Sequence, residues 1–468
     1  MFTGLTKIAW GAFRESSISS VTLPINVIDI DGYAFYKTTN ILTFESIKNI
    51  AQIQSIGMNT FRGSTIGGEL HLPNLTALGE GAFRECPNIT KVTSLGSITT
   101  LPSFAFMDSP IKEITLPDTL ISIENNSIKG SSVEIINLPK SLKRINSATF
   151  WGLKAPISVD LPNLVTLVGS GFRESSIIEI ADLGELVLLS NNTFTRCYNL
   201  RSATLPSGMY NIMDENFMEC TSLETINLDM ITTLGARVFR DCSKLNVDIN
   251  MPNLESLGSH TFQRTAITNV LSLGKITSIP GGCFSTTTLE YIVLPKSIKT
   301  LNAYSFEACK NLRLQQMGNI QYIQEIKEGV FMNAGLQDDV IDLPNLSNTL
   351  GVNSFRNTKV SVIESLGSVI EIGNYAFLYC NSITAINLPS TIETIGTQAF
   401  DCSQSSNNRC KNIVCYATTP PTLGDNAFRG RTSTSTFYVP DDSLENYKEA
   451  TGWVSFASRI KGISELPE

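Results

Sequence analysis

A phenylalanine returns every 22 or 23 residues along nearly the whole chain. The series has 19 positions, and 14 of its 18 intervals are 22 or 23 residues long. Such a period is produced by stacked copies of one supersecondary unit, each burying its apolar face against its neighbours, so the sequence predicts a solenoid. The positions are Phe13, Phe35, Phe61, Phe83, Phe106, Ile128, Phe150, Phe172, Phe194, Phe217, Phe239, Phe262, Phe284, Phe306, Phe331, Phe355, Phe377, Phe400 and Phe428.

One repeat, residues 106–130, shows what each unit contains. Ile114 and Leu116 alternate with a polar residue, which is the period of a half-buried strand, and Pro117 should end that strand because it cannot donate to a ladder. The apolar pair Leu120 and Ile123 marks a return segment. We expect about 19 coils with right-handed crossovers and short helical or irregular returns. Their strands should stack in parallel, about 4.8 Å apart, into a sheet on one face.

A longer period is superimposed on the 22-residue period. The letters PNL close five-residue motifs that begin at residues 71, 160, 250 and 342. The motif therefore returns after 89, 90 and 92 residues. This pattern indicates that a unit of four coils was duplicated, and it predicts one uninterrupted solenoid. Longer intervals place extra residues near 40–58, 313–328 and 335–350, where inserted loops should interrupt a smooth surface.

The chain is predicted to have two parts. Residues 1–430 carry the repeat, whereas residues 431–468 read as a strand followed by a helix. Asp442 or Ser443 could cap this helix, and Gly452 could end it. Because a terminal coil needs a cover over its core, the second part should be a C-terminal cap. The N-terminus has no secretory leader, so the protein is either not secreted by that route or begins after a removed signal. The repeat begins by residue 5 without a cap, which favours a truncated chain.

Charge and hydropathy restrict the partners. The net charge is −8 with no long run of either sign, which argues against nucleic acid and anionic membranes as ligands. No run of 18 apolar residues is present, so no membrane insertion is expected. We expect a monomer that binds a protein of the host matrix or cell surface, or a glycan.

The ten cysteines do not suggest chemistry. Six of them stand three residues after the repeat phenylalanine, where other coils place serine or threonine, so this position should hold a small buried side chain. A disulfide between Cys402 and Cys410 is a further prediction if the protein is extracellular, and Cys415 is an alternative partner. The six are Cys86, Cys197, Cys220, Cys242, Cys309 and Cys380.

Catalytic and metal-binding patterns are missing from the sequence. The two histidines, His71 and His260, lie many coils apart and have no recurring serine or cysteine partner. There is no phosphate-binding loop, HExxH motif or calcium loop, and zinc is not expected without CxxC. We therefore predict no catalytic residue, no metal site and no cofactor. Carboxylates from different coils could still converge to act on glycans, which keeps an enzyme as a distant alternative.

Two polar stripes are candidates for binding. An arginine directly follows the phenylalanine in seven coils and is often followed by an acidic residue, which indicates either a solvated face with weak ion pairs or a binding surface. These arginines are Arg14, Arg62, Arg84, Arg173, Arg240, Arg356 and Arg429. The second stripe holds outward strand residues, and solenoid sheets commonly bind ligands. The predicted strand-face residues are Lys91, Thr93, Glu113, Thr115, Glu179, Thr204, Asn227, Asn269, Tyr291, Glu364 and Asn387.

The repeat can be written L-x-x-I-x-L-P-x-x-L-x-x-I-G-x-x-A-F-x-x-C, and it resembles the BspA-like (Treponema-type) leucine-rich repeat family. EITLPDTLISI, AINLPSTIETIGTQAFDC and VTSLGSITTLPSFAF carry the resemblance, which covers residues 5–430. The ending FYVPDDSLENYKEATGW resembles the cap of such proteins. The resemblance implies a leucine-rich repeat solenoid that is non-enzymatic, secreted or on the bacterial surface, and used for adhesion. The family has no fixed binding motif, so no functional residue carries over.

Two functions from different classes follow. The chain is either a binding or adhesion protein that uses the strand face or inserted loops, or an attachment or structural component of a larger assembly such as a phage or surface fibre.

Overall fold

The structure is a computed structural model that describes residues 4–41, 43–402, 410–431 and 435–467. It contains two compact units. Unit 1 comprises Met1–Met230 and Cys242–Lys244, and unit 2 comprises Ile231–Asp241 and Leu245–Glu468. Both units are built of short parallel strands that pair from one coil to the next, so the predicted parallel-sheet solenoid is confirmed.

Each typical coil contributes two strands, whereas the sequence predicted one. The front strand is the predicted one. In unit 1 the front strands are Val21–Thr22, Ile47–Lys48, Gly67–His71, Asn88–Ser94, Glu113–Ile114, Ile135–Ile136, Ser158–Asp160, Glu179–Asp182, Ser202–Ala203 and Thr225–Ile226. In unit 2 they are Ile249–Asn250, Asn269–Ser272, Tyr291–Val293, Met317–Gly318, Val340–Asp342, Val362–Ser365, Ala385–Leu388, Asn412–Cys415, Thr436–Val439 and Ile460–Gly462.

The second strand lies in the return segment, where a helical or irregular path was expected. Ser122–Ile123, for example, pairs in parallel with Thr100–Leu101 and Arg144–Ile145. The return strands of unit 1 are Lys7–Ile8, Asp29–Ile30, Ser55–Ile56, Ala77–Leu78, Thr100–Leu101, Ser122–Ile123, Arg144–Ile145, Thr166–Leu167, Leu188–Leu189 and Asn211–Ile212. Those of unit 2 are Thr233–Leu234, Ser256–Leu257, Ser278–Ile279, Thr300–Leu301, Glu325–Ile326, Ser347–Leu350, Ser368–Ile372, Thr394–Ile395 and Thr422–Leu423.

The repeat phenylalanines form stacked columns inside each unit. In unit 1, Phe172 lies with its ring centroid 4.9 Å from Phe150 and 5.6 Å from Phe194. In unit 2, Phe400 lies 5.1 Å from Phe377 and 5.3 Å from Phe428, with the ring planes within 5°. These rings are fully buried, so the periodic phenylalanine is the core of the coil.

The small residue three positions after the phenylalanine is a hydrogen-bond donor as well as a small buried side chain. Cys86 Sγ donates to the carbonyl oxygen of Phe61 at 3.0 Å, and Cys220 Sγ donates to Phe194 at 3.1 Å. The other four predicted cysteines donate in the same way to the phenylalanine of the preceding coil. Ser109 does so at 2.7 Å, which explains why serine and cysteine exchange here.

These thiols should be unreactive in the native protein. Burial raises the pKa of Cys309 to about 11, and it also raises the pKa of Cys86 and Cys380. We expect iodoacetamide at pH 8 to leave the six cysteines unlabelled, because the thiolate is the nucleophile, and to label them after unfolding in urea. Peptide mass spectrometry measures this. An exposed control, Thr115→Cys, should react fully; rapid native labelling of Cys86 or Cys309 would contradict the burial.

All ten cysteines are buried as thiols, with no disulfide bond among them. The predicted Cys402–Cys410 disulfide is therefore not formed in this structure. Burial raises the pKa of both thiols. The segment between them, residues 403–409, lies outside the described residues.

The four-coil period has a structural basis in the front strands. Each strand that precedes PNL begins a separate sheet: Gly67–His71, Ser158–Asp160, Ile249–Asn250 and Val340–Asp342. Each of these strands shifts register against the next one, as between Val159 and Asp160, where the partner strand contains one extra residue. The duplicated unit therefore carries a β-bulge at the same place in every copy.

A glycine accompanies each bulge. Gly96, Gly184, Gly274 and Gly367 all have φ between 57° and 62°. A Cβ atom on Gly184 would lie 2.6 Å from the carbonyl oxygen of Leu164, the leucine of the preceding PNL, and the other three glycines face the corresponding leucine oxygens at 2.2–2.3 Å. Only glycine fits this combination of conformation and contact.

Two of the predicted insertions form the same local structure. The 3-10 helices Phe44–Ser46 and Ile50–Gln52 occupy the first, and Leu314–Gln316 and Ile320–Tyr322 occupy the second. In both, a left-handed asparagine, Asn49 or Asn319, donates its side-chain amide at 2.7 Å to the leucine oxygen of the preceding coil. Residue 42 lies outside the described part of the first insertion.

The C-terminal segment has the predicted strand and helix. A 3-10 helix at Asp441–Ser443 leads into the α-helix Leu444–Glu449, and the 3-10 helices Val454–Arg459 and Ile463–Glu465 flank the last strand. Ser443 is at the predicted cap position, without a side-chain capping bond, and the helix ends before Ala450. Trp453 and Tyr447 are fully buried and donate at 2.8 Å to the carbonyls of Pro421 and Ala417. We propose that this segment caps the solenoid.

Candidate functional site

The predicted strand-face residues lie on or directly after front strands. Glu113 and Tyr291 begin their strands, whereas Thr115 and Thr204 follow theirs. None of the eleven side chains is buried. The positions Lys91 to Asn227 belong to unit 1, and Asn269 to Asn387 belong to unit 2. The structure therefore places six of the eleven side chains at exposed positions and five at half-buried ones, and their role in binding remains a prediction.

In unit 1, the parallel register brings two of these residues into contact. Lys91 pairs with Glu113 across neighbouring strands, and Lys91 Nζ lies 3.1 Å from Glu113 Oε2. Glu179 accepts a hydrogen bond from Ser158 at 3.2 Å. Because each coil places its residue directly over that of the preceding coil, the front strands of one sheet offer a row of small polar and charged side chains, and a new row begins with the next sheet.

Three of the predicted asparagines also hold the fold together. Asn227 donates to the carbonyl of Leu205 at 3.0 Å and accepts its amide at 2.7 Å. In unit 2, Asn269 donates to Asp248 at 2.8 Å, and Asn387 donates to the carbonyl of Glu364 at 3.3 Å. These contacts reduce the capacity of the three amides to bind a ligand.

The arginine stripe forms ion pairs, as expected for a solvated face with weak ion pairs. Arg62 lies 3.3 Å from Glu85, and Arg429 lies 2.6 Å from the buried Asp401. Arg14, Arg84, Arg173 and Arg240 each pair with an acidic neighbour as well. Exposed pairs of this kind contribute about 0–1 kcal/mol each. Arg356 differs, because it donates to the side-chain oxygen of Asn353 and lies 5.9 Å from the ring of Tyr379.

Unit 2 contains depressions that the sequence did not predict as a site. One of them, of about 620 Å³, is lined by Tyr291 and Asn269 from the strand face and by Lys310, Arg313 and Lys359. It lies beside the predicted insertion at 313–328, which confirms that this insertion interrupts the surface. The three cations were missed because Lys310 and Arg313 lie in one coil and Lys359 lies in a coil two steps further along the chain. The sequence held only a partial signal: FMNAG and FRNTK lack the acidic residue that often follows the phenylalanine, whereas FEACK contains Glu307.

The described residues contain no cluster of three potential metal ligands. His71 approaches Thr93 at 3.2 Å, and burial together with Arg240 and Arg237 lowers the pKa of His260. A search for membrane-spanning helices found none with enough length and apolar character in the described part of the chain.

Comparison with known proteins identifies the repeat. The sequence matches the family described as "BspA type Leucine rich repeat region (6 copies)" at residues 2–110, 40–157, 76–188, 187–313 and 324–451. A search of curated proteins gave no significant match.

Solved structures with a similar chain path are bacterial. One is a leucine-rich repeat protein from Bacteroides ovatus, with 19% identity and a TM-score of 0.41, covering 84% of this chain and 86% of that chain. Another is a leucine rich cell surface protein from Faecalibacterium prausnitzii, with 19% identity and a TM-score of 0.36, covering 67% of this chain and 83% of that one. Since the family match spans most of the sequence, the chain belongs to the BspA-type leucine-rich repeat family.

Proposed function

We propose that the protein is a non-enzymatic adhesion protein that acts outside the cell or at its surface and binds a protein ligand through its front strands. The observation that carries this proposal is the in-register row of unburied side chains, such as Lys91 and Glu113. Such a row supplies many shallow contacts, and the binding energy of a protein interface is concentrated in a few of them. Membership of a leucine-rich repeat family supports a protein-binding role.

The proposal is tested with an array of immobilised matrix and cell-surface proteins. The full chain should bind at least one of them. Replacing Glu113 and Thr115 together with alanine should weaken that binding about tenfold if unit 1 is used, which corresponds to about 1.4 kcal/mol. Tyr291→Ala tests unit 2 in the same way, because tyrosine is a frequent hot-spot residue.

A matched control lies on the arginine stripe. Arg84→Ala with Glu85→Ala removes the two ion pairs that Glu85 forms with Arg62 and Arg84, and this double variant should leave binding unchanged. Equal binding by all variants would place the site away from the front strands, and no capture by any array protein would contradict adhesion through protein ligands.

A further inference from the structure

Three depressions join along the turns that lead into the front strands of unit 2. The first, of about 620 Å³, shares Lys310, Gly335 and Lys359 with a second of about 500 Å³. The second shares Asn333, Asn357 and Tyr379 with a third of about 500 Å³. We call this joined surface the polar groove. It runs over four coil steps, from the coil of Tyr291 to that of Tyr379, which is roughly 20 Å at the spacing of parallel strands.

The walls of the polar groove are cationic although the chain carries a net charge of −8. Lys310, Arg313 and Lys359 line the first depression, and Arg356 lines the third. Glu290 is the one carboxylate among the described residues that line the three depressions. The local charge therefore favours an anionic ligand, and steering would be strongest at low ionic strength.

These cations do not form ion pairs within the fold. Lys310 Nζ donates to the backbone oxygen of Asn333 at 2.6 Å, and Arg313 Nη1 donates to that of Gln337 at 3.4 Å. None of the four cationic groups lies within 4.0 Å of a carboxylate oxygen of the described residues, and this holds for Lys359 and Arg356 as well. The other six arginines of the stripe all have such a partner. Arg313 is close enough to Asp339 for its charge to oppose the rise that burial causes in the pKa of that carboxyl. Lys310 and Lys359, which form no ion pair, therefore leave the most charge for a ligand.

The remaining wall is made of amides and two phenol rings, of which Tyr291 is exposed and Tyr379 is half-buried. Asn311, Gln316 and Gln337 line the first depression, and Asn333, Asn357 and Asn381 line the others. A side-chain amide both donates and accepts hydrogen bonds, as a sugar hydroxyl does. Tyr291 and Tyr379, near the two ends, offer flat apolar faces.

We propose that the polar groove binds an acidic oligosaccharide that carries carboxylate groups. The carboxylate contacts Lys310 and Lys359, which line both the first and the second depression. The amides pair with hydroxyl groups, and the tyrosines contact sugar rings. This site goes beyond the protein-binding front strands proposed above. Tyr291 belongs to both surfaces, whereas Lys310, Lys359 and Tyr379 belong to the polar groove alone. Variants of these three residues therefore test the groove separately from the front strands.

The test uses isothermal titration calorimetry of the full chain with a tetrasaccharide of galacturonic acid. We expect measurable binding that weakens at least about tenfold with the fully methyl-esterified tetrasaccharide, which keeps the hydroxyls and loses the charge. Lys310→Gln with Lys359→Gln should weaken binding to a similar extent, and Tyr379→Ala should weaken it without changing its salt dependence. A sialylated trisaccharide tests the other source of sugar carboxylates, and binding of either supports the proposal.

Controls separate this site from general charge effects. Lys91→Gln removes a unit 1 lysine that is paired with Glu113, and it should leave affinity unchanged. All of these substitutions lie at exposed or half-buried positions, so the fold should tolerate them. The proposal is overturned if neither acidic sugar binds at millimolar concentration, if the methyl ester binds as well as the acid, if the double variant binds normally, or if tetraglutamate binds as tightly as the tetrasaccharide.

Discussion

Replacing Phe172 with alanine should destabilise its part of unit 1 by about 3–5 kcal/mol. The ring is fully buried and stacks on Phe150 and Phe194 at 4.9 and 5.6 Å. Its removal loses the favourable free energy of transferring the ring from water into the core. It also leaves a cavity between the two neighbouring rings, whose coils are held in place by backbone hydrogen bonds. The amide of Phe172 donates to Thr193 at 3.0 Å, and that of Phe150 donates to Gly171 at 2.8 Å, so the coils cannot easily collapse into the space.

Hydrogen–deuterium exchange read by mass spectrometry measures this effect coil by coil. Amides around Phe150, Phe172 and Phe194 should exchange much faster in the variant, because in a stacked repeat each coil depends on its immediate neighbours. Phe172→Ile reproduces the natural occupant of the position at Ile128, which is 3% exposed, and should cost clearly less. Unchanged exchange around Phe172 in the alanine variant would show that the ring column does not hold the coils together.

The sequence predicted the parts of the fold that recur with a fixed spacing. The ring position, the small residue behind it and the front strand appear in nearly every coil, so even a weak signal per repeat accumulates. The four-coil period was also visible, as PNL at 73, 162, 252 and 344. Its cause, a bulge beside a glycine, was not, because it depends on the position of one coil's glycine over another coil's leucine oxygen.

The return strands were missed for a different reason. Most of them, such as Ser122–Ile123, contain two residues, which is too short for an alternation of apolar and polar residues to show. Hydrogen bonding to the coils on both sides makes them strands. The polar groove was missed because Lys310, Lys359 and Tyr379 are separated along the chain. What distinguishes the two lysines from the paired arginines is that no carboxylate oxygen of the described residues lies within 4.0 Å of either, which the sequence does not show.

Replacing Gly184 with alanine should destabilise unit 1 by about 2–5 kcal/mol through two independent costs. The residue has φ +62°, which places an L side chain in the left-handed region. The new Cβ would also lie 2.5 Å from the backbone nitrogen of Leu164 and 2.6 Å from its oxygen. Neither atom can move freely, because the Leu164 oxygen accepts the amide of Glu185 at 2.8 Å and its nitrogen donates to Leu161 at 3.1 Å.

Gly152→Ala separates the two costs. Gly152 has φ +76°, and a Cβ added there would have no atom within 4 Å, so this control variant carries only the conformational cost of about 1–2 kcal/mol. Urea unfolding of both variants, followed by the fluorescence of Trp151, measures the difference. If Gly184→Ala unfolds at the same urea concentration as Gly152→Ala, then the close approach to Leu164 does not constrain the bulge. A lower midpoint for Gly184→Ala would mean that every four-coil unit requires glycine there, since Gly96, Gly274 and Gly367 meet their leucines at 2.2–2.3 Å.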